Sequence, residues 1–379
     1  MKIVDIETHI MGVERFNWVF VRLNTDTGIY GWGEGSLEGQ EPAVAEAVES
    51  MSRRIVGEDP TCIEKNWQIL WRHGFWRGGA VLTSALSAID QALWDITGKS
   101  LGVPVYKLLG GQLRHRIRAY SNALDAEHAG RLLAQGFTAI KTGGMPSALD
   151  PKTGRSPRID PDKVVAWLEH HVRAIRDTVG CRTALMVDNH GRAWPSLAIR
   201  QMEAVAPYNL LFFEDPIPPG NPAAMVRLRQ SPVPTDLAGG ERLFSRWDFR
   251  SLIEDQLVDV IQPDVCHCGG ISELRRIAAA AETYFLKVAP HNPNGPVSTA
   301  ASIQLAAALP NLLILEVSES VLRHTDVLRS GLALRDGHFE IPTAPGLGVD
   351  LNLEIVKQHP YKRQDYQGLF YYDGSPADI

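Results

Sequence analysis

Residues 184–194 read ALMVDNHGRAW, and the way this run ends decides the fold. Its apolar start suits a buried strand that closes on Asp188, with His190 two positions on. Side chains two apart on a strand share a face, so an extended chain here would aim a carboxylate and an imidazole at one spot. The same kind of ending recurs downstream. LLFFED reaches Glu214, DLAGGE reaches Glu241, VDVIQPD reaches Asp264, LKVAP runs into His291, and LLILEV reaches Glu316. The interval of roughly 25 residues is that of one strand–helix unit of a barrel. IRAYSN and FTAIKT upstream complete eight apolar runs. Helical patterns at 161–178, 194–206, 221–230, 245–256, 271–284 and 297–308 separate most of them. The spacing predicts an α/β fold, a TIM-type (β/α)8 barrel beginning near residue 116. The rival is a doubly wound open sheet, but no G-x-G-x-x-G follows a strand and opens a helix.

Outward from the barrel, residues 1–115 follow another pattern. KIVDIETHIM, WVFVRLNTDTG and IYGWGEG look like three strands joined by turns. Helical periodicity then takes over at 41–55, at 61–73 and in VLTSALSAIDQALWDITGKSLG. Strands followed by a helical block predict a small α+β domain. The Pro/Gly-rich tail over 346–379 is expected to pack back on that domain, which divides the chain into 1–115, 116–345 and 346–379. One long polar loop, over 143–163, is of the kind that often serves as a lid.

Composition narrows the function classes. At 379 residues the chain can build two sizeable cores, and 44% hydrophobic with 22% charged residues is ordinary for a globular protein. A net charge of −6 and no run of five basic residues argue against nucleic acid as a partner. No stretch approaches the ~18 apolar residues of a membrane span. MKIVDIETHIMGVERF lacks the apolar core of a signal peptide. Cys62, Cys181, Cys266 and Cys268 are expected to be reduced and structural in a cytoplasmic chain, since VCHCGG lacks the second pair a zinc site needs.

In a closed barrel the strand C-termini form one ring, so the six ionisable ends should converge on one mouth. A single acid after a strand is often a helix cap. Six at matching positions are not accounted for that way. Asp188, Glu214 and Glu241, on consecutive strands, form an all-oxygen set suited to a hard cation, and Mg2+ fits best, one ion per chain. Zinc would be expected to recruit histidine. His190 and His291, from strands three and seven, are candidate catalytic groups on opposite sides of that ion. Asp264 on strand six can fix the tautomer of His291 and raise its basicity, which makes His291 the candidate base.

These residues resemble the enolase superfamily in its mandelate racemase/muconate lactonizing enzyme-like branch. The likeness runs the full length, through GWGEG, SALSAIDQALWDITGKSLGVPVYKLLGG, VDNHGR, FFEDP, GGERLFSR, IQPDVCHCGGISE, VAPHNPNGP and PGLGVD in order. The pattern is most similar to the galactonate dehydratase-type acid-sugar dehydratases, which carry the same histidine pair. The resemblance implies a capping domain over a modified barrel, of (β/α)7β type, with one Mg2+. It implies abstraction of the proton next to a carboxylate to give an enediolate, and Glu316 as the strand-eight acid that hydrogen-bonds the developing oxyanion. The base-and-magnesium pattern is the general one of this superfamily. Family members commonly form even-numbered homo-oligomers, dimers or octamers.

The departures inform the chemistry. Where racemases of the branch carry a K-x-K pair, this chain has IKTGG: Lys141 is present and Gly143 takes the base position. That leaves histidine chemistry. FFEDP stands where relatives have Glu-Glu or Glu-Gln, and strand alternation turns Asp215 away from the metal. Glu38 and Asn122 replace the asparagine and histidine of mannonate dehydratases. The resulting expectation is a hydro-lyase that converts a sugar acid, an aldonate such as D-galactonate, to a 2-keto-3-deoxy acid. His291 would take the C2 proton and His190 would protonate the leaving C3 hydroxyl. Epimerisation of a 2-hydroxy acid and non-catalytic sensing of a sugar acid are the alternatives.

Overall fold

The structure, a computed structural model, describes every residue except Arg15, 147–157, 364–367, Tyr372 and Ile379, and the side chain of Arg158. The chain forms two compact units. The first holds Met1–Arg118, Glu241–Arg250 and Gln262–Gln364; the second holds Ala119–Gly240, Ser251–Ile261 and Asp365–Ile379.

The first unit opens with β1 (Ile3–Val13), β2 (Phe16–Thr25) and β3 (Tyr30–Glu34), paired antiparallel in that order. Helices α1 (Glu41–Ser52), α2 (Ile63–Arg72), α3 (Ala80–Leu101) and the short α4 (Val105–Leu108) follow. Val19, Val21 and Leu23 of β2 pack with Ile89, Leu93 and Ile96 of α3 in one core. Strand β3 lies so close to α3 that only glycine fits on the facing side. A Cβ on Gly31 or Gly33 would fall on the carbonyl oxygen of Ala92 or Ala88, and one on Gly35 would sit 2.9 Å from that of Ser84. Steps of two along the strand meet steps of four along the helix, which is the physical content of GWGEG.

The second unit carries parallel strands β4 (Arg116–Ala123, from Ala119 on), β5 (Ala139–Gly143), β7 (Ala184–Asp188), β8 (Phe212–Glu214), β9 (Leu237–Gly239) and β10 (Val260–Ile261), each paired with the next. The short β6 (Arg158–Ile159) pairs instead with Phe370 and Tyr371. Helices α5 (Ala126–Ala134), α6 (Pro161–Val179), α7 (Pro195–Val205) and α8 (Pro222–Arg229) intervene, and α9 (Arg246–Glu254) enters this unit at Ser251. Aspartate or asparagine side chains cap three of them at the N-terminus: Asp125, Asp160 and Asn221. Asp188 stands in register between Gly143 and Glu214, so strand ends line up across three strands.

The rest of the first unit contains α10 (Gly270–Thr283), β11 (Lys287–Val288), α11 (Pro296–Ala308) and β12 (Leu315–Glu316). Val288 bridges Leu312 in parallel. Asp90 of α3 accepts hydrogen bonds from the Ser272 hydroxyl at 2.6 Å and its backbone N–H at 3.0 Å, and Trp67 of α2 donates to the Gly269 carbonyl at 2.9 Å. The tail runs beside β1 and β2 as far as Lys362: Gly12 N donates to the His359 carbonyl at 2.8 Å and Lys362 N to Asn17 Oδ1 at 3.0 Å. Residues 147–157 of the long polar loop lie outside the described residues.

The helices at 161–178, 194–206, 221–230, 245–256, 271–284 and 297–308 form within a residue or two of their expected bounds. The strands are shorter than the apolar runs. Glu241, Asp264 and His291 follow the ends of β9, β10 and β11 rather than closing them. Pro263 and Pro290, each just before its ionisable residue, have no N–H for a ladder, and pairing stops ahead of them.

Candidate active site

Within the second unit, β7 ends on Asp188, which is 5% exposed. His190 approaches it by a turn and not by the pleat of an extended strand. Its backbone is in the left-handed region at φ 48°, its N–H donates to Asp188 Oδ1 at 2.9 Å, and its Nε2 lies 3.0 Å from Asp188 Oδ2. Gly191 at φ 65° continues the turn, held by its N–H to the Asp215 carbonyl at 2.7 Å. The carboxylate and imidazole do converge, but a side-chain-to-backbone turn brings them together.

Lys141 of β5, given no role from sequence, organises this cluster. Its buried ammonium lies 2.7 Å from Glu214 Oε1 and 3.2 Å from Asp188 Oδ2, over the Tyr120 ring. A signal was available: Lys141 is two residues before Gly143, the register partner of Asp188, and so shares its face. Burial would raise the Asp188 carboxyl, but His190 and Lys141 beside it hold it well below the usual carboxylate range. At Gly143 a Cβ would approach nothing nearer than the Met145 carbonyl at 3.7 Å, so the position of a second lysine is open. Asp215 is buried, but β8 ends before it and its φ is 39°, so strand alternation does not govern its direction.

Within the first unit, His291 lies between two carboxylates. Its Nδ1 is 2.8 Å from Asp264 Oδ2 and its Nε2 is 3.3 Å from Glu241 Oε2. Asp264 is fully buried and also accepts from Cys266 N at 2.6 Å and from the Asn294 amide at 2.9 and 3.1 Å. Burial would lower the His291 pKa, yet Glu241, the Asp264 hydrogen bond and Glu316 push it well above that of free imidazole. Glu316 closes β12, buried, and receives the Asn292 N–H at 3.2 Å.

Sequence reasoning overlooked three further groups. His267 of VCHCGG is buried, with Nδ1 2.8 Å from Ser84 Oγ of α3 and Nε2 3.7 Å from Asp264 Oδ2. Asn294 holds Asp264 as described. Glu34, the last residue of β3, accepts the N–H groups of Gly295, Val297 and Ser298 at 2.5, 3.1 and 2.9 Å. It acts as an N-cap for α11 supplied from another part of the chain, and burial pushes its carboxyl up to about 7. The polar run HNPNG, directly after an apolar strand, was the available signal for the turn these groups hold.

Within the second unit Asp188 and Glu214 offer only oxygen, the donor type that suits a hard cation, and Lys141 supplies positive charge to both. Glu241 Oε2 is buried with no hydrogen-bond partner among the described residues, His291 Nε2 being its ionic neighbour. No helix among the described residues is long and apolar enough to cross a membrane.

Comparison with known proteins extends this picture. Residues 2–110 match the N-terminal domain of the mandelate racemase/muconate lactonizing enzyme family, and residues 124–355 match the enolase C-terminal domain-like family. D-galactonate dehydratase of Pectobacterium atrosepticum is 37% identical over 394 residues, covering 100% of both chains. The D-galactonate dehydratase of Ralstonia pickettii is 35% identical over 387 residues with the same coverage. A crystal structure of an enolase from Agrobacterium radiobacter, named as a candidate galactarate dehydratase and holding sodium and L-malate, matches with a TM-score of 0.90. It is 32% identical and covers 100% of both chains. The fold is thus a capping domain followed by a TIM-type barrel: the strand spacing predicted the barrel, the family resemblance implied the cap, and the doubly wound sheet is set aside.

Proposed function

The chain belongs to the mandelate racemase/muconate lactonizing enzyme family of the enolase superfamily, and we propose that it dehydrates a sugar acid to the 2-keto-3-deoxy acid, with D-galactonate the first candidate substrate. A hydro-lyase of this type needs a base beside the carbon next to a carboxylate and an acid beside the neighbouring hydroxyl. The observation that carries the reading is the 2.8 Å contact between His291 Nδ1 and Asp264. A carboxylate on Nδ1 keeps the proton there and raises the basicity of Nε2, which is the acceptor for the C2 proton when it is not paired with Glu241.

In the proposed sequence His291 Nε2 takes the C2 proton, and the electron pair left behind spreads into the substrate carboxylate. Glu316 hydrogen-bonds the oxygen on which charge develops. That pair then forms the C2–C3 double bond as the C3–O bond breaks, and His190 gives its proton to the departing hydroxyl, releasing water. The enol tautomerises to the 2-keto-3-deoxy acid. Asp188, Glu214 and Glu241 are the proposed ligands of one Mg2+, which when bound supplies positive charge opposite the substrate carboxylate. Lys141 offsets the charge of the first two carboxylates.

Several further readings accompany this one. The capping domain is proposed to span 1–115, the barrel 116–345 and the C-terminal segment 346–379. The protein is proposed to work in the cytoplasm as an even-numbered homo-oligomer, with no nucleic-acid partner. A library of aldonates and aldarates, supplied with Mg2+ and scored for 2-keto acid with semicarbazide, tests the function. Keto acid from D-galactonate or a stereoisomer is the expected result. Deuterium exchange at C2 without keto acid would replace dehydration by epimerisation, and tight binding without turnover would indicate a sensor.

A further inference from the structure

We infer that Asn294 is a positioning residue for His291, acting through Asp264; the inference rests on the dehydration reading above. Asp264 is fully buried, and a carboxylate in that setting takes its direction from its donors. Cys266 N holds Oδ1 at 2.6 Å and His291 Nδ1 meets Oδ2 at 2.8 Å. Those two contacts hold one oxygen each, so rotation about the Cβ–Cγ bond is resisted by a single hydrogen bond at either end. Asn294 Nδ2 reaches both oxygens, at 3.1 and 2.9 Å, and so opposes that motion. His267 Nε2 at 3.7 Å from Oδ2 is too distant to substitute as a hydrogen-bond donor.

The amide can act as a fixed reference because its backbone is fastened on both sides. Asn292, two residues before it, donates through N to Glu316 Oε2 at 3.2 Å and through its side chain to Thr299 Oγ1 at 3.0 Å. Its side-chain oxygen accepts from Ser298 Oγ at 2.7 Å. On the other side Gly295 N is held by Glu34, and a Cβ at Gly295 would lie 2.7 Å from Glu34 Oε1. The turn from His291 to Gly295 therefore carries the base and, three residues on, the group that sets the base's partner. The donated N–H also draws charge from Asp264, so the shared proton stays on His291 Nδ1 and Nε2 remains the acceptor. A residue that acts in this way alters proton transfer from C2 and leaves substrate binding alone.

The test compares wild type with Asn294→Leu, a near-isostere without donors, on D-galactonate and its C2-deuterated form with Mg2+ present. We expect kcat to fall about 10- to 100-fold with KM unchanged within about twofold, the scale on which small misplacements of reacting groups act. The deuterium effect on kcat should rise, because proton abstraction becomes the slow step. A variant that merely folds less completely lowers kcat and leaves the isotope effect where it was, and that result overturns the inference. A second readout needs no turnover. In protein labelled with 15N-histidine, the downfield Nδ1–H of His291, identified by its loss in His291→Asn, should weaken or exchange faster in Asn294→Leu. An unchanged resonance also overturns the inference. Should Asn294→Leu fail to fold, Asn294→Ala is read in the same two ways. If wild type itself does not act on D-galactonate or any aldonate, the dehydration reading fails, and the resonance alone then decides whether Asn294 orients His291.

Discussion

Asp90→Asn should make the protein's stability less dependent on pH, by an amount the structure allows one to calculate. Asp90 lies on α3 with no exposure to solvent, and Ser272 supplies its two hydrogen bonds. Burial pushes its carboxyl from the ordinary 3.8 up to about 7; the Ser272 bonds offset only part of that, and Glu273 adds to it. The folded protein therefore binds this proton more tightly than the unfolded chain does. Its contribution is fully present below pH 3.8 and is lost as pH rises through about 7. At 1.36 kcal/mol per pH unit, that interval corresponds to roughly 4 kcal/mol, of which about 3 kcal/mol falls between pH 5 and 8. Asparagine keeps the shape, accepts from Ser272 N and donates to Ser272 Oγ, at a pH-independent cost of about 1 kcal/mol for one imperfect hydrogen bond. Urea unfolding of both proteins at pH 5, 6, 7 and 8 gives the difference at each pH. Groups remote from Asp90 titrate alike in the two proteins and cancel, so the difference is dominated by Asp90 itself. The variant should gain about 3 kcal/mol on wild type across the series. A difference constant to within about 0.5 kcal/mol, the usual scatter of such comparisons, refutes the argument that burial dominates this carboxyl.

Glu214→Gln should lose at least about 100-fold in kcat and most of the heat of Mg2+ binding, with an unchanged circular dichroism spectrum; full activity of the variant in EDTA would disprove the proposed metal site. On a substrate analogue with fluoride at C3, which leaves without a proton, His190→Asn should still release fluoride while failing on the natural acid, and His291→Asn should fail on both. The reverse pattern exchanges base and acid. Gly33→Ala places a methyl against the Ala88 carbonyl of α3, and this overpacking should cost about 1–3 kcal/mol in urea unfolding or leave the protein insoluble; wild-type stability would contradict the close approach of β3 to α3.

Much of the fold was legible because a parallel barrel repeats. Each strand, buried on both faces, appears as an apolar run, and each run stops where the chain leaves the sheet for a polar rim. That repetition gave the eight runs, the helices between them and the ionisable residues Asp188, Glu214, Glu241, Asp264, His291 and Glu316 with no knowledge of contacts. It did not reveal that Pro263 and Pro290 end the ladders early, so Asp264 and His291 stand on loops just past their strands. The GWGEG glycines marked a turn in the sequence, and their reason, the backbone of α3 against β3, lies 49 to 61 residues further along.

What the sequence determined by itself was the set of chemical groups and the period at which they recur, since both are properties of neighbours along the chain. What only the tertiary structure decided was which groups touch. Lys141 reaches Glu214 across 73 residues, and Glu34 caps a helix that begins more than 260 residues later. His190 meets Asp188 through a left-handed turn that no strand periodicity encodes. Burial follows the same rule. The carboxyls of Asp90 and Glu34 are each pushed to about 7, while Asp188, also buried, is held low because His190 and Lys141 stand beside it. Charge in a low-dielectric interior is governed by the few groups within a few ångströms. Folding chooses those neighbours from distant parts of the chain.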